Sequence, residues 1–248
     1  MNNIALQLYS IKELTQVDFL GTLEKVAKIG YNGVEFAGYF DTPAKVLKAK
    51  LDDLNLKAAG SHVGIDALDT KLDELIEYSL EINSPYLICP YLPVEMRNSV
   101  DAYKAIAEKF NRIGEKIRSN GLSFGYHNHD FEFEKFDGEH GLDLLFKYTD
   151  PSNLFVELDT YWVEFSGLNS VDFIEKYKER TKILHIKECN NLVEKKNTEI
   201  GKGIIDFKAI TAAGKKYNTE WFTVEQEYFT IDQLQSIDES YNYLKGIL

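Results

Sequence analysis

Apolar and polar positions along the 248-residue chain fall into two alternating kinds of segment. Short runs rich in apolar or β-branched residues recur from end to end, at 4–9, 33–36, 57–63, 86–91, 122–128, 154–159, 183–188 and 222–227. Most are nearly continuous in apolar character, as expected of parallel strands covered on both faces. Between them, apolar residues return at three- and four-residue steps, the period of a helix with one buried face. The clearest helix covers 99–120, where Val100, Tyr103, Ala107, Phe110, Ile113 and Ile117 share a face. Ser99 is placed to cap its start, and Gly121 suits the left-handed turn after its end. A second helix follows Asp18, with Phe19, Leu23, Val26 and Ala27 on one side and Gly30 as its stop. Others fit 43–55, 69–82, 140–148, 170–179, 206–217 and 231–246. No linker, low-complexity tract or charge block divides the chain. Eight strands alternating with eight helices in this length predict an α/β fold, a (β/α)8 TIM barrel forming a single domain over 1–248. A doubly wound sheet fits less well, because LYSIKEL, at the end of the first strand, has no glycine for a phosphate loop.

Composition removes several function classes. Hydrophobic content of 44% with 13% aromatics supports a large core and opposes disorder. Forty acidic residues against 28 basic ones give a net charge of −12. A nucleic-acid surface needs clustered Lys and Arg, and no basic run here exceeds a Lys-Lys pair. The start, MNNIALQLYS, lacks the basic and apolar regions of a signal peptide. No run approaches the ~18 apolar residues of a membrane span. Cys89 and Cys189 match no zinc spacing and read as free thiols in a reducing compartment. The expectation is a cytoplasmic, soluble protein with neither nucleic acid nor membrane as partner.

A barrel of this kind carries its chemistry at the carboxyl ends of its strands. Those ends offer Tyr9, Glu35, Ser61, His62, Tyr91, His127, His129, Glu157, Asp159, His185, Lys187, Glu225 and Glu227. Carboxylates and imidazoles are densest on the last four strands, where a His, an Asp, a His and a Glu could bind one divalent ion from four sides. A lone His or Glu at a strand end is more often a hydrogen-bonded structural residue. Four on adjacent strands differ, because unpaired buried charges cost several kcal/mol each and a shared cation removes that cost. His127 and His129 point the same way on an extended chain, so either could reach inward.

The motifs YHNHDFEF, VELDTYWV, LHIKE, GKGIIDF and VEQE, in this order, make the second half of the chain resemble the xylose isomerase-like TIM barrels. This sugar phosphate isomerase/epimerase superfamily also includes ketose 3-epimerases, inosose isomerase and dehydratase, and endonuclease IV. GVEF and GSHV in the first half look like its substrate-side second and third strands. The resemblance implies one divalent ion held by a Glu, an Asp, a His and a Glu on strands five to eight. The last three match Asp159, His185 and Glu225. The first does not match, since the fifth strand ends Tyr126-His127-Asn128-His129. His127, which ends the strand itself, is the best replacement, with His129 and Glu132 as alternatives. Mixed His and carboxylate ligands favour Mn, Co or Zn.

Ketose epimerases resemble a two-base machine, with a metal-bound Glu on each face of the substrate. With His in place of the first Glu, Glu225 remains as base, and a His free of the metal, His129, can serve as general acid. Lys187 could neutralise a developing oxyanion. Glu35 and His62 are expected at sugar hydroxyls, and Glu157 and Trp162 join them in the substrate-binding set. GKG at 201–203 could cradle a phosphate, although a tight turn is its commoner use. The implied function is a divalent-metal-dependent sugar or sugar phosphate isomerase/epimerase that abstracts a proton next to a carbonyl. An inosose dehydratase-like or keto-sugar lyase is the alternative, and a sugar-binding barrel the non-enzyme one. The partner is then a small sugar or polyol, with a homo-oligomer left open. Endonuclease IV chemistry would need a three-metal cluster and a DNA surface. Metal-dependent amidohydrolases carry an early His-x-His, where this chain has Gln7-Leu8-Tyr9.

Overall fold

In the computed structural model, which describes residues 3–191 and 193–248, eight parallel strands close into a barrel. They are β1 (Asn3–Gln7), β2 (Gly33–Phe36), β3 (Lys57–His62), β4 (Tyr86–Cys89), β5 (Ser123–His127), β6 (Phe155–Asp159), β7 (Thr181–Ile186) and β8 (Trp221–Val224). Closure comes from β1 pairing with β8, Asn3 opposite Trp221 through Leu6 opposite Val224. Among the described residues, one longer helix follows each strand, with shorter helices at Lys12–Val17, Ile65–Thr70 and Thr160–Phe165 in the loops between: α1 (Phe19–Ile29), α2 (Ala44–Leu54), α3 (Leu72–Glu81), α4 (Val100–Ser119), α5 (Gly141–Tyr148), α6 (Ser170–Lys176), α7 (Phe207–Lys216) and α8 (Gln233–Ile247).

Each strand turns alternate side chains in opposite directions, and both sets are buried. Outward residues such as Leu6, Val34, Phe124, Leu158, Leu184 and Val224 join a core with Leu23, Leu47, Phe110 and Ile237 of the helices. Inward, Ala5, Ala59, Tyr86, Ile88, Phe155, Ile183 and Trp221 form a separate apolar cluster that plugs the barrel. Two residues further along, the inward positions turn polar. Gln7, Glu35, His127, Glu157, His185 and Thr223 are all buried. The site therefore stands on a packed floor.

Two register shifts interrupt the ladders, between Val34 and Glu35 against β3 and between Val156 and Glu157 against β7. Both occur at an inward carboxylate, and an unmatched residue in the partner strand re-aims the side chains around it. Opposite Glu35, a Cβ on Gly60 would stand 2.9 Å from Glu35 Oε1. Only glycine leaves that carboxylate its room.

Most predicted elements appear near their expected bounds. Ser99 Oγ accepts the Ala102 N–H at 3.1 Å to start α4, and Gly121 follows that helix at φ 83°. Asp18 caps α1 by accepting the Gly21 N–H at 3.0 Å, and Gly30 ends it at φ 115°. The helix expected at 69–82 is divided. Lys71 leaves the helical region at φ −133°, separating a short helix, Ile65–Thr70, from α3. Strand signals at 4–9 and 183–188 overran the barrel. After β1 the chain coils into a tight turn at Leu8–Ile11, where the Gln7 side chain accepts the Tyr9 N–H. Beyond β7, Glu188–Cys189 pairs with Asn197–Thr198 in a small hairpin. Among the described residues, no helix is long and apolar enough to cross a membrane.

Candidate metal centre and substrate cavity

At the carboxyl ends of β5 to β8, His127, Asp159, His185 and Glu225 each bring one donor atom within 4.8 Å of the others, and all four are buried. Strand register sets this up. Asp159 lies opposite His185, and the N–H of Glu225, just past β8, still donates to the Ile186 carbonyl at 3.1 Å. His185 Nδ1 is 3.1 Å from Glu225 Oε2, and His127 Nε2 is 3.8 Å from Asp159 Oδ2. Asp159 Oδ1 accepts the N–H groups of Tyr161 at 2.8 Å and Trp162 at 3.4 Å, capping a short helix, Thr160–Phe165. Asp159 Oδ2 is buried without a hydrogen-bond partner.

An unpaired carboxylate oxygen in the interior is costly, and a divalent ion among these donors would remove that cost. Two imidazoles and two carboxylates form a set that suits Zn, Mn or Co. The residues fit the group.

A second, deeper donor set shares two of these rings: His62, His127, Glu157 and His185. Here three imidazole nitrogens converge on Glu157 Oε1, from His62 Nε2 at 2.6 Å, His127 Nδ1 at 3.1 Å and His185 Nε2 at 3.1 Å. Glu35 Oε2 lies 2.7 Å from His185 Nε2 and accepts the Gln7 amide at 2.8 Å. The two rings thus stand between an inner carboxylate pair, Glu35 and Glu157, and an outer pair, Asp159 and Glu225.

Above the outer pair opens a cavity of 390 Å³ lined by Tyr9, Ala37, His62, Pro90, Tyr91, His127, His129, Glu225 and Glu227. Several expected site residues lie elsewhere. Glu35 and Glu157, expected at the substrate, are fully buried one layer down, because the two-residue period of their strands sets them below the mouth. Lys187, expected in the mouth, is buried against Glu225 at 3.7 Å, paired with Glu227, and lies over the Trp162 ring at 5.0 Å. Trp162 packs behind His129, ring centroids 5.5 Å apart. Glu132 turns away from both donor sets, accepting the Tyr126 hydroxyl and, at 2.7 Å, the His129 N–H. The amides around GKG are already engaged by Glu188, which accepts from Gly201 at 3.1 Å and Ile205 at 3.1 Å. They hold a turn, and leave no phosphate cradle. Gln7 and Glu188 were missed as site and loop organisers. Gln7 carried a signal, since it lies two residues past inward Ala5.

Electrostatics divide the groups. Burial raises the Glu35 carboxyl to about 7, with Glu157 adding to the rise. Burial likewise lifts Asp159 to about 7, despite Lys187 nearby. Burial also pushes Glu157 and Glu225 upward, yet neighbouring cations outweigh it and hold both well below the usual range. Those cations are His185 and His62 for Glu157, and Lys187 and His185 for Glu225. Burial lowers His127 to about 4 and holds His129 far below its ordinary value, so both rings are neutral. For His62 and His185, burial is overcome by Glu35 and Glu157, and both pKa values rise.

The model of the xylose isomerase-like TIM barrel family matches residues 23–247. An inosose dehydratase of Clostridium beijerinckii is 24% identical, over 84% of this chain and 82% of its own. A crystal structure of a sugar phosphate isomerase/epimerase from Parabacteroides distasonis superposes with a TM-score of 0.85 at 26% identity. That match covers 99% of this chain and 98% of the other. The IolI protein, whose crystal structure holds a zinc atom, has the same fold, with a TM-score of 0.79 at 14% identity over 99% of this chain and 97% of its own.

Proposed function

The chain belongs to the xylose isomerase-like TIM barrel family, and we propose that it is a divalent-metal-dependent enzyme that abstracts a proton next to the carbonyl of a sugar or polyol. The observation that carries this is Glu225, which is both a member of the outer donor set and a wall of the cavity. The zinc in the IolI protein supports the metal part, and the isomerase/epimerase and dehydratase relatives support the carbonyl chemistry. One cytoplasmic barrel domain over 1–248, with a small-molecule substrate, completes the assignment.

His127, Asp159, His185 and Glu225 would hold the ion. When bound, it supplies Lewis-acid polarisation of the substrate carbonyl and the adjacent hydroxyl. Glu225 is ionised and takes the proton alpha to the carbonyl. Lys187, 3.7 Å away, keeps it charged. His129 lines the cavity and stays neutral, so it would hydrogen-bond a substrate hydroxyl and not serve as the general acid. The cavity ring with a raised pKa is His62, and it is the better proton donor. A base at Glu225 with an acid at His62 also favours a second outcome, loss of a β-hydroxyl, the reaction class named by the dehydratase relatives.

Incubation of the metal-loaded enzyme with keto-sugars and keto-inositols in D2O tests this by NMR. The wild type should wash deuterium into the alpha position or release water, and Glu225→Gln should lower the rate by ~10²–10⁴-fold. Exchange that persists in metal-loaded Glu225→Gln moves the base elsewhere. A metal-loaded wild type that binds these ligands without exchange or elimination is a sugar-binding barrel.

A further inference from the structure

We propose that Glu157 is a positioning residue that sets which nitrogen of His127 and of His185 is free to bind an ion. The proposal rests on the metal assignment above. A neutral imidazole has one N–H and one bare nitrogen, and a cation takes only the bare one. On both rings the nitrogen nearest Glu157 Oε1 is not the one facing the outer carboxylates. His127 approaches Glu157 with Nδ1 at 3.1 Å and Asp159 with Nε2 at 3.8 Å. His185 approaches Glu157 with Nε2 and Glu225 with Nδ1, both at 3.1 Å.

A carboxylate at this point draws the proton to Nδ1 of His127 and Nε2 of His185. Nε2 of His127 is left bare toward Asp159, and His185, protonated on both nitrogens before an ion binds, offers Nδ1 toward Glu225 once the ion displaces that proton. Glu35 reinforces the choice for His185 alone. Glu157 contacts both rings and His62 as well, is fully buried, and lies below the cavity, so contact with substrate is not its role. Its place is built into the barrel. Glu157 lies directly across from His127 in the β5–β6 ladder, and the register shift against β7 falls at this residue. Carboxylates behind ligating histidines commonly orient the ring in this way.

The test uses protein labelled with 15N in its five histidines. Long-range proton–nitrogen spectra are assigned with His127→Gln and His185→Gln. In metal-free wild type, His127 should carry its proton on Nδ1. In zinc-loaded wild type, zinc should bind His127 through Nε2 and His185 through Nδ1. A metal-free His127 protonated on Nε2 overturns the proposal, as does zinc ligation by His127 through Nδ1 or by His185 through Nε2, which would place the ion in the inner set with Glu157 as ligand. Zinc affinity by chelator competition adds a second readout. Glu157→Leu, which cannot accept, should weaken binding by ~10–100-fold. Glu157→Gln, whose amide oxygen still accepts, should keep the Nδ1–H tautomer and most of the affinity. Equal losses in both variants would reduce Glu157 to packing and overturn the proposal. If the wild type binds no zinc, the metal assignment fails, and the metal-free tautomer still decides whether Glu157 positions His127.

Discussion

Glu132 belongs to the same motif as His127 and His129, yet its carboxylate faces the Tyr126 hydroxyl and away from both donor sets. Burial raises it to about 7, even with two hydrogen bonds to the charged form. This folded pKa lies above the unfolded value of ~4.3. The stability it contributes is therefore fully present below the unfolded pKa and is lost as pH rises through the folded one. The loss is on the order of 3 kcal/mol. Glu132→Gln removes the titration, so the variant should gain stability relative to wild type between about pH 5 and pH 8. Urea melts across that range check it, and a difference that does not change with pH would exclude the effect. The same residue-scale view shows what was legible. Asp159, His185 and Glu225 stood out because they end adjacent strands with ligand chemistry. Glu35 and Glu157, expected at the substrate, are buried one layer below the cavity. The signal was present in Phe155, Glu157 and Asp159, three positions in a two-residue period that step from plug to inner carboxylate to outer carboxylate. Residue type at a strand end does not carry that depth; the count of residues from the apolar plug does. Lys187 was misplaced for a different reason: its long stem lets the ammonium fold back onto Glu225 and Glu227.

Among elements, strand and helix order was legible because apolar runs and helical periods alternate without a break. Where elements end was less so. Residues 187–188 look like strand, but the chain leaves the barrel there for a hairpin, and Glu188 accepts the amides of the following loop. The short helix Thr160–Phe165 went unseen because its cap is a residue already assigned to the ion. Asp159 uses Oδ1 for the helix N-terminus and leaves Oδ2 unpaired. This double duty separates two substitutions. Asp159→Asn and Asp159→Ala both remove the charge, and both should lose the ion. Only Asn keeps a capping oxygen, so Ala should be less stable than Asn by ~1 kcal/mol. Denaturation of the chelator-treated variants measures the difference. Equal stabilities would show that the cap contributes nothing.

At the scale of the whole molecule, the barrel concentrates charge where it has least solvent. Glu35, Glu157, Asp159 and Glu225 are buried together with His185 and Lys187 on top of an apolar plug. Without an ion, protons are the remaining means of neutralising this group, which is why Glu35 and Asp159 rise to about 7. The unfolded chain has no such cluster, so an ion that binds the folded form stabilises it by mass action. At a hundred times Kd the gain is ~2.7 kcal/mol. For a chain of this size it raises Tm by roughly 5–10 °C. Binding must displace a proton from Asp159, whose metal-free value is about 7, and from His185, whose pKa is also raised. The ion therefore competes with protons, and its effect on Tm should grow as pH rises through about 7 and shrink below it. Calorimetry of chelator-stripped protein, alone and reloaded with Zn, Mn or Co, should show a larger shift at about pH 8 than at about pH 6. Identical Tm values with and without added ion at the higher pH would remove the ion from this site. The charge would then be balanced by protons alone.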